Sequence, residues 1–197
     1  MQIVLATNNQ DKIREFSALM TEKNVDIIPQ SKFSVPEARE TGKTFIENAI
    51  LKARHAANYT NLPALADDSG LVVDALNGAP GIKSARYSGL KATYAQNIAK
   101  LLKNLEGIPE EKRTARFYCF LVFLRHAKDP SPIICEGVWE GRILLEPQGE
   151  NGFGYDPVFF VPTHEASAAE LLPSVKHVIS HRGQAVREMV NILQNVL

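Results

Sequence analysis

The stretch Pro63-Ala64-Leu65-Ala66-Asp67-Asp68-Ser69-Gly70-Leu71-Val72-Val73 decides how this chain is read. Residues 64–66 read as the end of a short buried strand, and Ser69-Gly70 as a turn before a second apolar run. Two carboxylates therefore sit where a strand runs out, the place where α/β sheets bind ligands. Successive strand residues face opposite sides, so a strictly extended Asp67-Asp68 aims only one carboxylate at a site. The expected turn favours Asp68, turned outward beside the Ser69 hydroxyl. An Asx turn closing a hairpin would account for an isolated Asp-Ser-Gly. Two consecutive acids are harder to explain by turn chemistry alone.

The rest of the composition is ordinary for a globular chain. Its 197 residues suffice for one substantial core, with room for a small attached lobe. Twenty-two basic residues balance twenty-two acidic ones, so the chain carries no general electrostatic footprint for nucleic acid or an anionic membrane. No apolar run approaches the length of a membrane span, and Met1-Gln2-Ile3 opens into a strand rather than a signal peptide. A cytoplasmic location, with no nucleic-acid or membrane partner, is the expectation. Cys119 and Cys135 stand in strand-like surroundings and read as buried reduced thiols.

Upstream of the acidic pair, Ile3-Val4-Leu5-Ala6 is an apolar strand and Thr7-Asn8-Asn9-Gln10-Asp11-Lys12 a polar loop. A helix follows, with Ile13, Phe16, Leu19 and Met20 on one face. Such a βα unit offers backbone N–H groups, amide and hydroxyl side chains and a helix N-terminus to an anion. It lacks a Gly-rich Walker pattern, and taken alone it is more often a simple connection. Residues 25–28 look like a second strand, and the polar segment after them carries Glu37 and Glu40. Thr44 and Glu47 form a capping box for a helix whose inner face is Ile46, Ala49, Ile50, Ala53 and Ala57, leaving Lys52 and Arg54 off that face.

Downstream, residues 78–89 form a long loop, and Thr93 and Gln96 make another capping box for a helix through Leu105. Gly107-Ile108-Pro109 ends it and marks a lobe boundary. Residues 116–124 are the longest strand candidate, their continuous apolarity placing them at the centre of a sheet. Strands at 133–138 and 142–145 are separated by Trp139, Glu140 and Gly141. A glycine-rich loop over 147–157 precedes a short strand at 158–161 and a helix over 166–172. Ser180 caps a last helix with Ala185, Val186, Met189, Val190 and Leu193 inward. Strands alternating with helices early and clustering later argue for a mixed α/β sheet.

These elements carry the parts of a metal–nucleotide site. A hard cation takes oxygen ligands such as Glu40 and Asp68. A polyphosphate takes the N–H groups and cations of residues 7–12, with Lys52 and Ser69. A base takes an aromatic platform and polar partners, here Phe153, Lys176, His181 and Arg182. Each has a plainer reading: Phe153 and Tyr155 as core aromatics beside turn glycines, Lys176, His181 and Arg182 as a solvated helix start. Cations at a helix N-terminus oppose its dipole, which favours a ligand role for His181 and Arg182.

The motifs Ala6-Thr7-Asn8-Asn9 with Lys12, Glu40-Thr41-Gly42-Lys43-Thr44-Phe45-Ile46-Glu47-Asn48-Ala49 with Lys52-Ala53, Ala66-Asp67-Asp68-Ser69-Gly70-Leu71, Pro80-Gly81 with Ser84-Ala85-Arg86-Tyr87, Gly152-Phe153-Gly154-Tyr155-Asp156-Pro157, and Lys176 with Ser180-His181-Arg182-Gly183 occur in this order almost end to end. In this arrangement the chain resembles the inosine/xanthosine triphosphate pyrophosphatases, the Ham1-like or RdgB proteins that clear non-standard purine nucleotides. The resemblance implies one catalytic domain over residues 1–197, an elongated α/β fold with a mixed sheet and flanking helices in two lobes, an active site in the cleft between them, and a homodimer. It implies Mg²⁺-dependent hydrolysis of ITP, dITP and XTP to the monophosphate and pyrophosphate. Thr7, Asn8, Asn9, Gln10, Asp11 and Lys12 would wrap the triphosphate, with Lys52 and the Ser69 hydroxyl beside it. Glu40 and Asp68 would hold Mg²⁺, Asp68 also taking a proton from the attacking water. Phe153 would stack on the base within the loop Phe153, Gly154, Tyr155 and Asp156, while Lys176, His181 and Arg182 would read its edge. The chain departs from the family pattern at Asp11, where a glycine is common, and at Val175 and His177 around Lys176. Two other classes are a non-hydrolysing purine nucleotide sensor, which retained Glu40 and Asp68 argue against, and an aspartyl-phosphate phosphatase, whose chemistry uses acids two apart rather than adjacent.

Overall fold

The computed structural model describes residues 1–19 and 26–196. Met20 and Val25, expected in the first helix and second strand, lie outside them. In chain order the elements are β1 (Gln2–Leu5), α1 (Gln10–Leu19), β2 (Asp26–Pro29), α2 (Phe45–Thr60), β3 (Ala64–Val73), α3 (Tyr94–Asn104), β4 (Thr114–Leu124), β5 (Ile133–Ile143), β6 (Phe159–Val161), β7 (Ala166–Ser167), α4 (Pro173–Ile179) and α5 (His181–Val196). The strands form one seven-stranded sheet in the order β2-β1-β3-β4-β5-β6-β7, with β4 at its centre. β1 runs parallel to β2 and β3, whereas β5-β6 and β6-β7 are antiparallel. The sheet is thus mixed, as expected.

The chain divides into two compact units: Met1–Asp68, Cys119–Gly137 and Arg182–Leu197 in the first, Ser69–Tyr118 and Val138–His181 in the second. The division falls within β3, β4 and β5 and just after the first residue of α5. It does not fall at Gly107-Ile108-Pro109. The buried Arg113 guanidinium donates to the Leu105, Ile108 and Leu144 carbonyls and knits that turn into the second unit.

In the first unit the pleat of the strands sorts side chains onto two cores. Ile3, Leu5, Leu65, Leu121 and Phe123 pack with Phe16 of α1 and Met189 of α5. Val4, Ala6, Ala64, Ala66, Val122 and Leu124 pack with the alanines of α2. Small residues on both sides let the α2 backbone lie close to the sheet. Thr44 and Glu47 cap α2 as read from the sequence. In the second unit Leu71, Val73, Phe117, Trp139 and Phe159 gather against α3, itself held by the Thr93–Gln96 box.

Three expected features are absent or displaced. β3 passes straight through Ser69-Gly70 with no turn, because the burial of Leu71 and Val73 at its far end outweighs the poor strand preference of the glycine. β5 is one strand through Trp139, Glu140 and Gly141. Residues 166–172 are not a helix: Ser167 pairs with Phe160 in the sheet, and its N–H is taken by the Glu170 carboxylate at 2.7 Å. The helix α4 instead starts at Pro173, whose fixed φ and missing N–H suit a first helical turn.

Candidate active site

Strand geometry separates the two acids. Asp67 shares the parity of Leu65 and faces α1 and α5, whereas Asp68 shares that of Ala64 and Ala66 and faces α2. Asp67 Oδ2 lies 2.8 Å from Lys12 Nζ and 3.7 Å from an Arg182 guanidinium nitrogen. Asp68 Oδ1 accepts from Lys52 Nζ at 2.7 Å, and the same ammonium donates to Glu40 Oε1 at 3.2 Å. Asp68 is therefore distinguished by alternation within an unbroken strand and not by the turn expected after it.

The two carboxylates also differ in charge balance. Burial works against ionisation of Asp67, but Lys12, Arg182 and Lys52 outweigh it and hold its carboxyl far below the usual range. Burial pushes the Asp68 carboxyl above its ordinary value; Lys52 and Lys12 oppose that shift without cancelling it, and Glu40 reinforces it. Lys52 is itself buried, which disfavours its charge, yet Asp68, Asp67 and Glu40 raise its pKa and keep it an ammonium. Arg182 is buried too, with Glu15 and Asp67 sustaining its charge. Its guanidinium donates to Glu15 and lies over the Phe16 ring.

Glu40 and Asp68 thus converge on a single cation, the Lys52 ammonium. An all-oxygen carboxylate pair suits a hard ion such as Mg²⁺, which commonly takes one or two carboxylates and completes its shell with phosphate oxygens and water. Among the described residues no group of three His, Cys, Asp or Glu side chains is placed to hold a metal. The remaining ligands would come from a substrate and solvent.

The segment Thr7 to Lys12 is not wholly a loop, because α1 begins at Gln10. Several of its N–H groups are already engaged. Asn9 Oδ1 accepts from Asp11 N at 2.9 Å and Lys12 N at 3.2 Å, capping α1, and Thr7 Oγ1 accepts from Asn9 N at 3.1 Å. Gln10 reaches back to the Asn8 carbonyl. The Asp11 carboxylate is paired with Arg14 at 2.6 Å, which offsets the extra negative charge at this position.

The second unit assembles a different group. Asp156 Oδ2 accepts from Phe153 N at 2.8 Å and from Lys176 Nζ at 2.6 Å, and that ammonium stands 4.9 Å above the Phe153 ring. Phe153 also meets Tyr94 of α3, ring centroids 6.1 Å apart. Gly154 takes φ +65° in the same loop. Tyr155 points into the core and donates to the Ser84 carbonyl, and the His181 ring stacks on Phe117 with centroids 4.8 Å apart. Tyr155 follows the plainer reading of a core aromatic, whereas His181 is buried against Phe117 and is not part of a solvated helix start. Ser69 directly follows Asp68 in β3, on the second unit's side of the division.

Within the first unit, then, the structure gathers Lys52 and Glu40 around Asp68 on one face of β3 and Lys12 and Arg182 around Asp67 on the other; within the second it brings Phe153, Asp156 and Lys176 together. Sequence reasoning missed the part of Asp67 and Glu15 as partners of Lys12 and Arg182. Strand parity would have put Asp67 on the α1 face, but Glu15, on the polar side of an amphipathic helix, carries no comparable signal.

A model of the Ham1 family matches residues 3–192. A dITP/XTP pyrophosphatase of Vibrio parahaemolyticus is 59% identical over 188 residues, covering 95% of this chain and 94% of that protein. One of Escherichia coli O157:H7 is 56% identical, with 98% of each covered. Among solved structures, a HAM1 protein from Coxiella burnetii superposes with a TM-score of 0.93 at 52% identity, covering 99% of each chain. The Staphylococcus aureus Ham1 protein gives 0.89 at 40% identity over the whole of both.

Proposed function

Because the chain belongs to the Ham1 family, we infer that it hydrolyses non-standard purine nucleoside triphosphates such as dITP and XTP. The observation that carries the chemistry is the convergence of the Glu40 and Asp68 carboxylates on Lys52. The proposed products are the nucleoside monophosphate and pyrophosphate, formed by attack of water at the α-phosphorus.

Glu40 and Asp68 are the proposed Mg²⁺ ligands. Bound there, the ion would neutralise phosphate oxygens and acidify a water. Asp68, 2.7 Å from the Lys52 ammonium, is also the proposed acceptor of the attacking water's proton. Lys52 and Lys12 supply fixed positive charge for the triphosphate, Thr7, Asn8, Asn9, Gln10 and Asp11 line the same βα connection, and the Ser69 hydroxyl adds a donor. Phe153 is the proposed platform for the base. Lys176, held by Asp156 over that ring, supplies a donor for a 6-oxo group. The loop residues Gly154 and Tyr155 set its course. His181 and Arg182 enter the proposal as base readers on the family motif alone.

A single catalytic domain over residues 1–197, a homodimer and a cytoplasmic location complete the proposal. The homodimer rests on the family resemblance, and sedimentation at micromolar concentration tests it. For the reaction, the purified protein is incubated with dITP, XTP, ITP, GTP and ATP and the products resolved. Pyrophosphate and the monophosphate, abolished by a chelator and by Glu40→Gln, are expected. Diphosphate with orthophosphate, or binding without turnover as in a sensor, would overturn it.

A further inference from the structure

Glu40 lies in a segment, residues 35–42, that has neither helix nor strand to hold it. Three α2 side chains spaced i, i+4 and i+7 supply the hold instead. Asn48 Oδ1 accepts from Gly42 N at 2.9 Å, Lys52 Nζ donates to Glu40 Oε1 at 3.2 Å, and His55 Nε2 lies 2.8 Å from the Pro36 carbonyl. Such spacing stacks side chains on one face of a helix. The segment is thus tied at both ends and in the middle by one stripe.

We propose that Asn48 and His55 are positioning residues that hold Glu40 in place as a metal ligand, a role that rests on the metal reading given above. Asn48 is wholly buried, and its orientation follows from its partner, since only the amide oxygen can accept from an N–H. The contact is too close for any side chain at position 42. A Cβ there would stand 2.6 Å from Glu47 Cβ and 2.7 Å from Asn48 Oδ1. Glu47 secures the next two residues, its carboxylate accepting from Lys43 N at 2.6 Å and Thr44 N at 2.9 Å. His55 acts at the far end, where its Nε2–H donates to a carbonyl that has no helical partner.

A carboxylate presented on an unstructured segment has to be ordered each time a cation binds, whereas one held in place beforehand does not. Removing the stripe should therefore weaken metal binding while leaving the chemical step intact once metal is saturating. The test is Mn²⁺ titration of the full-length protein, in the presence of a non-hydrolysable α,β-imido analogue of ITP, with free Mn²⁺ read by electron paramagnetic resonance and folding checked by thermal unfolding. Asn48→Ala is expected to bind about 10-fold more weakly, within the range for loss of a ligand's outer-shell support. His55→Ala is expected to weaken binding by less, and His55→Gln, which keeps an N–H donor, to restore it. Arg54→Ala, on the exposed face of α2, is expected to bind as the unaltered protein does. Turnover at saturating Mg²⁺ should be near normal in all of these. If Asn48→Ala does not fold, the His55 pair decides. Folded Asn48→Ala and His55→Ala variants with unchanged Mn²⁺ affinity, beside a Glu40→Gln variant that has lost it, would overturn the positioning role alone. Undiminished binding by Glu40→Gln would overturn the metal reading itself.

Discussion

Asp67 and Asp68 are consecutive in β3, yet their carboxylates close on different lysines, Asp67 on Lys12 at 2.8 Å and Asp68 on Lys52 at 2.7 Å. The pleat sends one to each face of the sheet, so one dipeptide supplies two carboxylates in different surroundings. Asp67 is enclosed and fully compensated. Asp68 is buried against its own charge and shares its cation with Glu40.

The two asparagine variants should therefore fail differently. Asp68→Asn removes the proposed base and metal ligand but no compensating charge that Lys52 does not also receive from Glu40. It should fold with near-normal stability and lose at least about 100-fold in turnover. Asp67→Asn leaves Lys12 and Arg182 facing a neutral amide in a closed site, a loss of about 3–5 kcal/mol of the kind that follows removal of one partner from a buried ion pair. Urea unfolding alongside pyrophosphate release separates the two. Equal activity and equal stability in both variants would sink the division of labour.

Which parts of this were legible in the sequence follows from how local each signal is. The capping boxes at Thr44 and Thr93 rest on contacts between residues three apart, and both helices begin where they predict. The central place of β4 follows from an apolar run that only burial on both faces can satisfy. Misreadings came where tertiary packing overrides a local signal. Ser69-Gly70 carries turn chemistry, but the apolar residues beyond it are claimed by a second core. Ala166–Ser167 looks helical and is recruited as a short strand by β6. At the site, Glu40, Lys52 and Asp68 were nameable because hard-cation and phosphate chemistry needs those types. Their pairing, and the different partners of Asp67 and Arg182, depend on strand parity and helix placement that residue type alone does not encode.

Gly141 illustrates the same point and gives a second prediction. It reads as a break, yet β5 runs through it. A Cβ at this position would lie 2.4 Å from the Phe160 carbonyl oxygen and 2.6 Å from the end of the Phe159 ring. Neither backbone nor a buried aromatic can step aside easily. Gly141→Ala should destabilise by about 1–3 kcal/mol through overpacking, read as a lowered urea midpoint. An unchanged midpoint would mean that β6 shifts freely.

The thiols provide a pH test remote from the site. Burial pushes Cys135 up to about 12, with Glu188 and Cys119 adding to the effect. Its folded pKa exceeds the unfolded value of about 8.5. The resulting stability is fully present below that unfolded value and is lost as pH rises through about 12. At pH 8 the native protein should leave both cysteines, Cys119 and Cys135, unreactive toward a disulfide reagent, with both released on unfolding. Rapid reaction of the folded protein would contradict their burial.

Discrimination among bases should turn on Lys176. Its ammonium is held by Asp156 at 2.6 Å and stands 4.9 Å above Phe153, so a base resting on that ring meets a donor that cannot accept. Hypoxanthine and xanthine present an oxygen at position 6, whereas adenine presents an amino donor there. A site built to hydrogen-bond a missing group can reject its analogue by roughly 10⁴-fold. Guanine keeps the 6-oxo edge and differs at position 2, where crowding cannot exclude an amino group if xanthine's oxygen is accepted. A position-2 pocket without an acceptor would leave that amino group unpaired, at about 1–3 kcal/mol. GTP should then be turned over measurably and ATP hardly at all. Lys176→Met keeps the length and apolar stem but removes the donor, and it should lower ITP and XTP hydrolysis while narrowing their lead over ATP. Arg182→Met is the necessary comparison, since it also strips Glu15 and Asp67 of a cation and should lose stability as well. An unchanged ITP-to-ATP ratio in Lys176→Met would remove Lys176 from base recognition, and a narrowed ratio confined to Arg182→Met would move that role to the guanidinium.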